Sequence, residues 1–308
     1  TIEELQQFRQ WGSVTPGHPE LDPERGIENT SGPLGQGHTM AVGAAIAERF
    51  FAARFGEWIS HKTYTFISDG GIQEEIAQGA GRIAGYLGLS NLIMFFDSNK
   101  VQLSTDVDAV TEEDYAAKYR AWGWNVIEID GCNPIEIANA IEVAQAETAR
   151  PTLIIGNTIM GRGCVTATGE NFEGQCSTHG QPLSKSGADI NKTMENSGGN
   201  PENPWVVWDE VAELYAQRKE ELRKIVKQRR AEEKAWADAN PELAAQLQDF
   251  VDGKLPEIDY AAIAHKPDIA TRTASANVLS VLGEKVKNMI VSSADLANSD
   301  KTEAKKKK

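Results

Sequence analysis

Four short apolar runs, each followed by a polar turn, restrict the folds open to this chain. Thr63-Tyr-Thr-Phe-Ile-Ser68 stops at Asp69-Gly70-Gly71, and Asn91-Leu-Ile-Met-Phe-Phe96 stops at Asp97-Ser98-Asn99. Asn125 to Ile129 and Thr152 to Ile155 are two more. Helical patterns from about Gln73 to Leu87 and from Pro134 to Ala149 lie between them. Strands alternating with helices of this length form a parallel sheet with helices on both faces. The expected fold class is therefore α/β. Such sheets bind ligands beyond the carboxyl ends of their strands, so function is expected in the loops after Ser68, Phe96 and Ile155.

The flanks are less regular. The opening is rich in Gly, Pro and turn formers and ends in Ser31-Gly-Pro-Leu-Gly-Gln-Gly37, ahead of an Ala-dense helical pattern from His38 to Phe55. Gly161 to Pro204 is loop-rich. Pro204 to Asn240 predicts a long charged helix, Pro241 to Phe250 a shorter one, and Lys254 to Pro267 an extended segment. Thr273 to Val286 reads as a helix and Asn288 to Ser292 as a short strand. These shifts divide the chain into 1–200, a helical linker over 201–267, and the start of a second α/β domain over 268–308.

Charge and cysteine usage narrow the function. With 31 basic against 45 acidic residues the formal charge is −14, which argues against a nucleic-acid partner, because a phosphate backbone requires basic surface. An anionic ligand would need a metal, a helix N-terminus or a few placed side chains. Cys132, Cys164 and Cys176 make neither a C-x-x-C pair nor a zinc spacing, and read as reduced thiols in a cytoplasmic protein. No apolar run approaches membrane-spanning length and no signal segment opens the chain. Thr1 in place of an initiator Met reads as a cut, and Lys305 to Lys308 as a frayed or artificial tail.

Asp69-Gly70 followed by Asn99, 30 residues on, is the strongest local signal. Asp69 sits just past one strand and Asn99 just past the next, and a right-handed crossover makes those strands parallel neighbours. A carboxylate and an amide oxygen then share one sheet edge, with the Val101 carbonyl just beyond. Mg²⁺ and Ca²⁺ take oxygen ligands of this kind, and Mg²⁺ commonly adds phosphate and water oxygens. Gly70 and Gly71 admit a diphosphate close to the backbone. Taken singly, Asp69 could merely cap the following helix and Asn99 merely turn the chain; the pair favours metal and diphosphate.

This pairing is the thiamine diphosphate motif, and the chain resembles the transketolase family in particular. Thr15-Pro-Gly-His-Pro-Glu20, Gly32-Pro-Leu-Gly-Gln-Gly37, Ser177-Thr-His-Gly180, Thr271-Arg272 and Ser293-Ala-Asp-Leu296 follow the family's order, with extra residues between Met160 and Ser177. The resemblance implies that Asp69, Asn99 and the Val101 carbonyl hold Mg²⁺ or Ca²⁺. Gly70 and Asn99 would touch the diphosphate of thiamine diphosphate, and Gly32, Pro33 and Leu34 would line the cofactor. His18 and His179 would face the reacting centre as catalytic and substrate-binding residues, His179 also reaching the diphosphate. Arg272 and Ser299 would bind the sugar phosphate. Glu74 would lie at the interface of a homodimer, near the cofactor's pyrimidine. On this reading 1–200 is the diphosphate and metal domain and 268–308 opens a pyrimidine-binding domain.

Ser68 stands where the family usually has Gly, a change expected to cost little if it ends the strand with ordinary dihedrals. The family's opening segment is missing. So is the glutamate that activates the aminopyrimidine, since only Glu303, in the lysine-rich tail, follows Asp295. The implied reaction is transfer of a two-carbon ketol unit from a ketose phosphate to an aldose phosphate, with this chain alone expected to be inactive. A dihydroxyacetone synthase or deoxyxylulose phosphate synthase shares the metal motif. A cofactor-binding subunit of a split enzyme and a non-enzymatic remnant are the non-catalytic alternatives. The small-residue stripe Ala77, Gly81, Gly85 and Gly88 permits close helix packing, within the chain or on a partner.

Overall fold

A computed structural model describes residues 1–302, so Glu303 and the Lys305 to Lys308 tail lie outside the described residues. Four strands, β1 (Thr63–Ser68), β2 (Leu92–Ser98), β3 (Asn125–Asp130) and β4 (Thr152–Asn157), form one sheet in the order β1-β2-β4-β3. Every pairing is parallel, as the alternation with helices requires. The helices are α1 (Ile2–Gln6), α2 (Gln36–Phe55), α3 (Asp69–Gln73), α4 (Glu75–Leu87), α5 (Tyr115–Ala121) and α6 (Pro134–Ala146). Beyond the sheet follow α7 (Leu183–Ser186), α8 (Ile190–Asn196), α9 (Asp209–Ala239), α10 (Pro241–Val251), α11 (Thr271–Lys285) and α12 (Ala297–Asp300). The chain divides into two compact units, Thr1–Val226 and Lys227 onward, the boundary in the sequence falling within α9.

In the first unit strand side chains alternate between two cores, as a period of two demands. Leu92, Met94, Phe96, Leu153 and Ile155 join Val42 and Ala45 of α2, Ala77 and Ala84 of α4, and Tyr119 of α5 in the larger core. Ile93 and Ile154 turn the other way, onto Ala140 and Ala144 of α6. Here the small-residue stripe serves the chain itself. A Cβ on Gly81 would meet the Tyr119 hydroxyl oxygen at 3.2 Å and its ring at 3.3 Å, and one on Gly85 would lie 1.9 Å from the Trp122 carbonyl oxygen. At β1, Tyr64 and Phe66 stay exposed, at 51% and 78%.

Local chemistry explains where the helices begin. Ser68 takes extended dihedrals, φ −97° and ψ 172°, and its hydroxyl accepts the Gly71 N–H at 3.2 Å. The residue that departs from the family pattern thus caps α3. Glu74 then opens to φ −62°, ψ 131° and starts α4 afresh, so the helix expected from about Gln73 begins at Glu75, with the short, unexpected α3 set off before it by this break. Asp114 caps α5 through the Ala117 N–H, and Asn133 caps α6 ahead of Pro134. α5 and α8 lie in stretches the periodicity left as loops; both are seven residues long, too short for a clear repeat.

The second unit holds α10, α11 and α12. The strand expected at Asn288 to Ser292 is not formed; the segment is a turn and irregular chain. A strand exists only with a ladder partner, and all strands among the described residues lie in the first unit. Lys254 to Pro267 is largely irregular, with one 3₁₀ turn at Tyr260–Ala262.

His38, on the first turn of α2, is 2% exposed and neither ring nitrogen has a hydrogen-bond partner. Burial alone lowers its pKa to about 4. Unfolding frees the imidazole to take a proton near pH 6.5, so stability should fall as pH drops from there towards 4. Between pH 7.5 and 5 the wild type should lose about 2 kcal/mol more than His38→Leu, by linkage. Urea unfolding at both pH values measures the difference; equal losses would mean that the ring is accessible to protons in the fold.

Candidate cofactor and metal site

Registry places Ser68 opposite Asp97, so Asp69 and Asn99 emerge at the same edge of the sheet. Asp69 is 2% exposed. Its Oδ2 accepts the backbone N–H of Asn99 at 2.9 Å and of Lys100 at 3.1 Å. Ser68 fills the helix cap, so the carboxylate reaches across to the next strand's loop. Asn99 does turn the chain: its Oδ1 accepts the Val101 N–H at 3.0 Å, and Lys100 takes a left-handed φ of 66°. The turn continues into a short bridge between Val101 and Asp106. Its hydrogen bonds end on the carbonyls of Thr105 and Lys100, so neither uses the Val101 carbonyl.

Burial pushes the Asp69 carboxyl up, while the amides of Asn99 and Lys100 pull it back. Its second oxygen, Oδ1, is buried with no hydrogen-bond partner. An orphaned carboxylate oxygen is costly unless a cation or proton meets it. Asp69, Asn99 and the Val101 carbonyl together offer hard oxygen donors, which suit Mg²⁺ or Ca²⁺ better than a softer metal. Among the described residues no three His, Cys, Asp or Glu side chains group around a metal position. A cation at Asp69 would therefore draw on amide, carbonyl and ligand oxygens.

The N-terminal loop closes on this edge. A Cβ on Gly70 would lie 3.2 Å from Leu34 Cδ1, and one on Gly35, at φ 78°, only 2.9 Å from Glu74 Cβ. The same measure sets Gly32 against the His18 ring at 3.4 Å. Pro33 sits between Gly32 and Leu34, its carbonyl accepting the Gln36 N–H at 3.3 Å. His18, Gly32, Leu34, Gly70 and Glu74 are thereby linked contact by contact.

His179 arrives from the other side. It follows a 3₁₀ turn at Cys176–Thr178. Cys176 Sγ lies 3.7 Å from Asp106 Oδ1, and Gly180 packs towards Leu103. Both contacts bind the His179 segment to the loop that starts at Asn99. His179 Nδ1 is a second buried atom with no partner. A cavity of about 560 Å³ opens between these loops, lined by Asn99, Val101, Asp106, Tyr115 and Gly174 among others. Arg272 and Ser299 belong to the second unit, where Arg272 Nη1 donates to Ser299 Oγ at 3.5 Å and both are exposed. Asp97 and Thr158, which also line the edge, were not identified from sequence. The cue was present in the register of the strands, each lying just at the end of an apolar run.

The family model described as "Transketolase, thiamine diphosphate binding domain" matches residues 1–256. A transketolase of Geobacillus stearothermophilus is 38% identical over 310 residues, covering 98% of this chain and 46% of that protein. The solved transketolase of Leishmania mexicana superposes with a TM-score of 0.87 at 32% identity, over 97% of this chain and 45% of that one. A Pichia stipitis transketolase structure in complex with sedoheptulose-7-phosphate gives 0.84 at 35%, over 98% and 45%. The chain thus spans slightly under half the length of these relatives. On its motifs, its fold and these similarities, the chain belongs to the transketolase family and carries that family's thiamine diphosphate binding domain.

Proposed function

We propose that this chain grips the diphosphate of thiamine diphosphate through Mg²⁺ or Ca²⁺ held by Asp69, Asn99 and the Val101 carbonyl. The observation that carries this reading is Asp69 Oδ1: buried, without a partner, and fixed at the edge by two backbone N–H groups to its sister oxygen. Gly70, with Gly32, Pro33 and Leu34, shapes the wall along the cofactor, and His179 Nδ1 faces the diphosphate. When bound, the cofactor supplies the carbanion chemistry of two-carbon ketol transfer between sugar phosphates. His18 and His179 hold substrate hydroxyls and move protons. Arg272 and Ser299 take the sugar's phosphate, and the sugar phosphate named with the Pichia stipitis relative supports that substrate class.

The parent enzyme is read as a cytoplasmic homodimer, with Glu74 at the subunit interface near the pyrimidine. Three free thiols suit that compartment. No helix among the described residues is long and apolar enough to cross a membrane. Residues 1–200 are assigned to the diphosphate domain, 201–267 to the linker and 268–308 to the start of a pyrimidine-binding domain.

One preparation tests the reading. Calorimetric titration of the 308-residue chain with thiamine diphosphate should give weak binding with Mg²⁺ present and none in excess EDTA. A ketose phosphate and an aldose phosphate added to the same mixture should show no sustained turnover, because the chain covers under half of its relatives' length. Binding that ignores EDTA would remove the metal from the proposal; repeated turnover would remove the claim of inactivity.

A further inference from the structure

The carboxyl ends of β2 and β4 are tied by side chains as well as by the ladder. Asp97 faces Gly156 in the register and Ser98 faces Asn157. One step past β4, Thr158 donates its backbone N–H to the Ser98 carbonyl at 3.2 Å and its hydroxyl to Asp97 Oδ1. Its methyl group fills the space beside the turn after β3. A Cβ on Gly131 would lie 2.7 Å from Thr158 Cγ2 and 2.8 Å from the Gly156 backbone. One threonine is thus gripped by three strand ends.

From Thr158 the chain runs into Met160, whose carbonyl accepts the Gly174 N–H at 2.8 Å. Gly161, next in line, packs against Thr178, which precedes His179. On the neighbouring strand Asp97 lies two residues before Asn99. The Asp97–Thr158 hydrogen bond therefore joins the root of the His179 segment to the root of the Asn99 loop. Asp97 and Thr158 are both half-buried, where a hydrogen bond to a charged acceptor is stronger than a neutral one.

We propose that Asp97 and Thr158 are positioning residues whose side-chain hydrogen bond locks the segment from Thr158 to Gly180 against the Asp69–Asn99 edge. The purpose of the lock rests on the thiamine diphosphate reading; its existence does not.

Amide hydrogen exchange on the ligand-free 308-residue chain tests the lock directly. Thr158→Val keeps the shape and loses the hydroxyl, whereas Thr158→Ser keeps the hydroxyl. Thr158→Val should speed exchange of the Gly174, Thr178 and His179 amides about tenfold, through local opening, and leave α4 and β1 protected. Thr158→Ser should match the wild type. Asp97→Ala should reproduce Thr158→Val, and the double variant should add nothing, since both remove one interaction. Wild-type exchange in Thr158→Val, or Thr158→Ser behaving like Thr158→Val, would overturn the proposal. So would a rise across all segments in both Thr158→Val and Asp97→Ala, which would mean that the pair holds the whole sheet. In a parallel titration with Mg²⁺ and thiamine diphosphate, Thr158→Val should bind several-fold more weakly and Thr158→Ser as the wild type. If the wild type itself binds no cofactor there, the functional reading falls, and the exchange comparison still decides the lock.

Discussion

Asp69→Asn is expected to weaken Mg²⁺-dependent thiamine diphosphate binding roughly a hundredfold, at or above the upper end of what supporting residues contribute to a metal site. The substitution is nearly isosteric. Its amide oxygen still accepts the Asn99 and Lys100 N–H groups that now bond Oδ2 at 2.9 and 3.1 Å. The loop geometry is therefore kept while the charge and the orphaned second oxygen are lost. The amide nitrogen put in that place is a donor and repels a cation. Calorimetry of both proteins in saturating Mg²⁺ reads the affinity, and thermal unfolding checks that the fold survives. Equal affinities would place the cation elsewhere and undo the assignment of Asn99 and the Val101 carbonyl with it.

Gly85→Ala should destabilise the fold by about 3 kcal/mol, at the upper end of ordinary overpacking. The added methyl carbon would stand 1.9 Å from the Trp122 carbonyl oxygen and 2.9 Å from its carbon. Those are backbone atoms, so no side chain can swing aside. Either α4 retreats from the turn after α5, or that turn moves and disturbs Trp124, whose indole N–H donates to the Gly81 carbonyl at 2.8 Å. Gly79, in the same helix, supplies the control. Nothing lies within 4 Å of a Cβ there, so Gly79→Ala should stabilise by about 0.5–1 kcal/mol through helix propensity alone. Chemical denaturation of both variants measures the two shifts. If both had the same sign, α4 would not pack on the Trp122 turn as described.

The parallel sheet was legible because β2 and β4, at its centre, are nearly continuous apolar runs, as strands buried on both faces must be, and the edge strands β1 and β3 keep the same alternation with helices. The Asp69 and Asn99 edge was legible for the same reason: a residue just past each of two adjacent parallel strands has nowhere else to go. The meaning of each polar group was harder to read. Asp69 and Ser68 are both good helix caps, and sequence cannot show which hydroxyl or carboxylate turns to the Gly71 N–H. Here Ser68 takes that bond, which frees Asp69 for the next strand's loop. The break at Glu74 was hidden because its residues all suit a helix, and only the closeness of Gly35, where an added Cβ would lie 2.9 Å from Glu74 Cβ, marks the crowding there. Asn288 to Ser292 shows the opposite error. An apolar stretch has strand character only where another strand completes the ladder. His18, Arg272 and Ser299 carried no physical signal of their own in the sequence and entered through resemblance.

The β1 edge bears on how this polypeptide behaves as a colloid. Among the described strands β1 has one neighbour, and Tyr64 and Phe66 stand out from it with half and more than three-quarters of their surface in water. Two such edges meeting would continue a single sheet from one molecule into the next. Opposing that encounter is a formal charge of −14 on every copy, a repulsion felt at long range while the edge acts only on contact. The shelf life of a solution is then a contest between a few side chains and the whole surface. Salt weakens the second without touching the first, so the ionic strength chosen for storage decides which of them prevails.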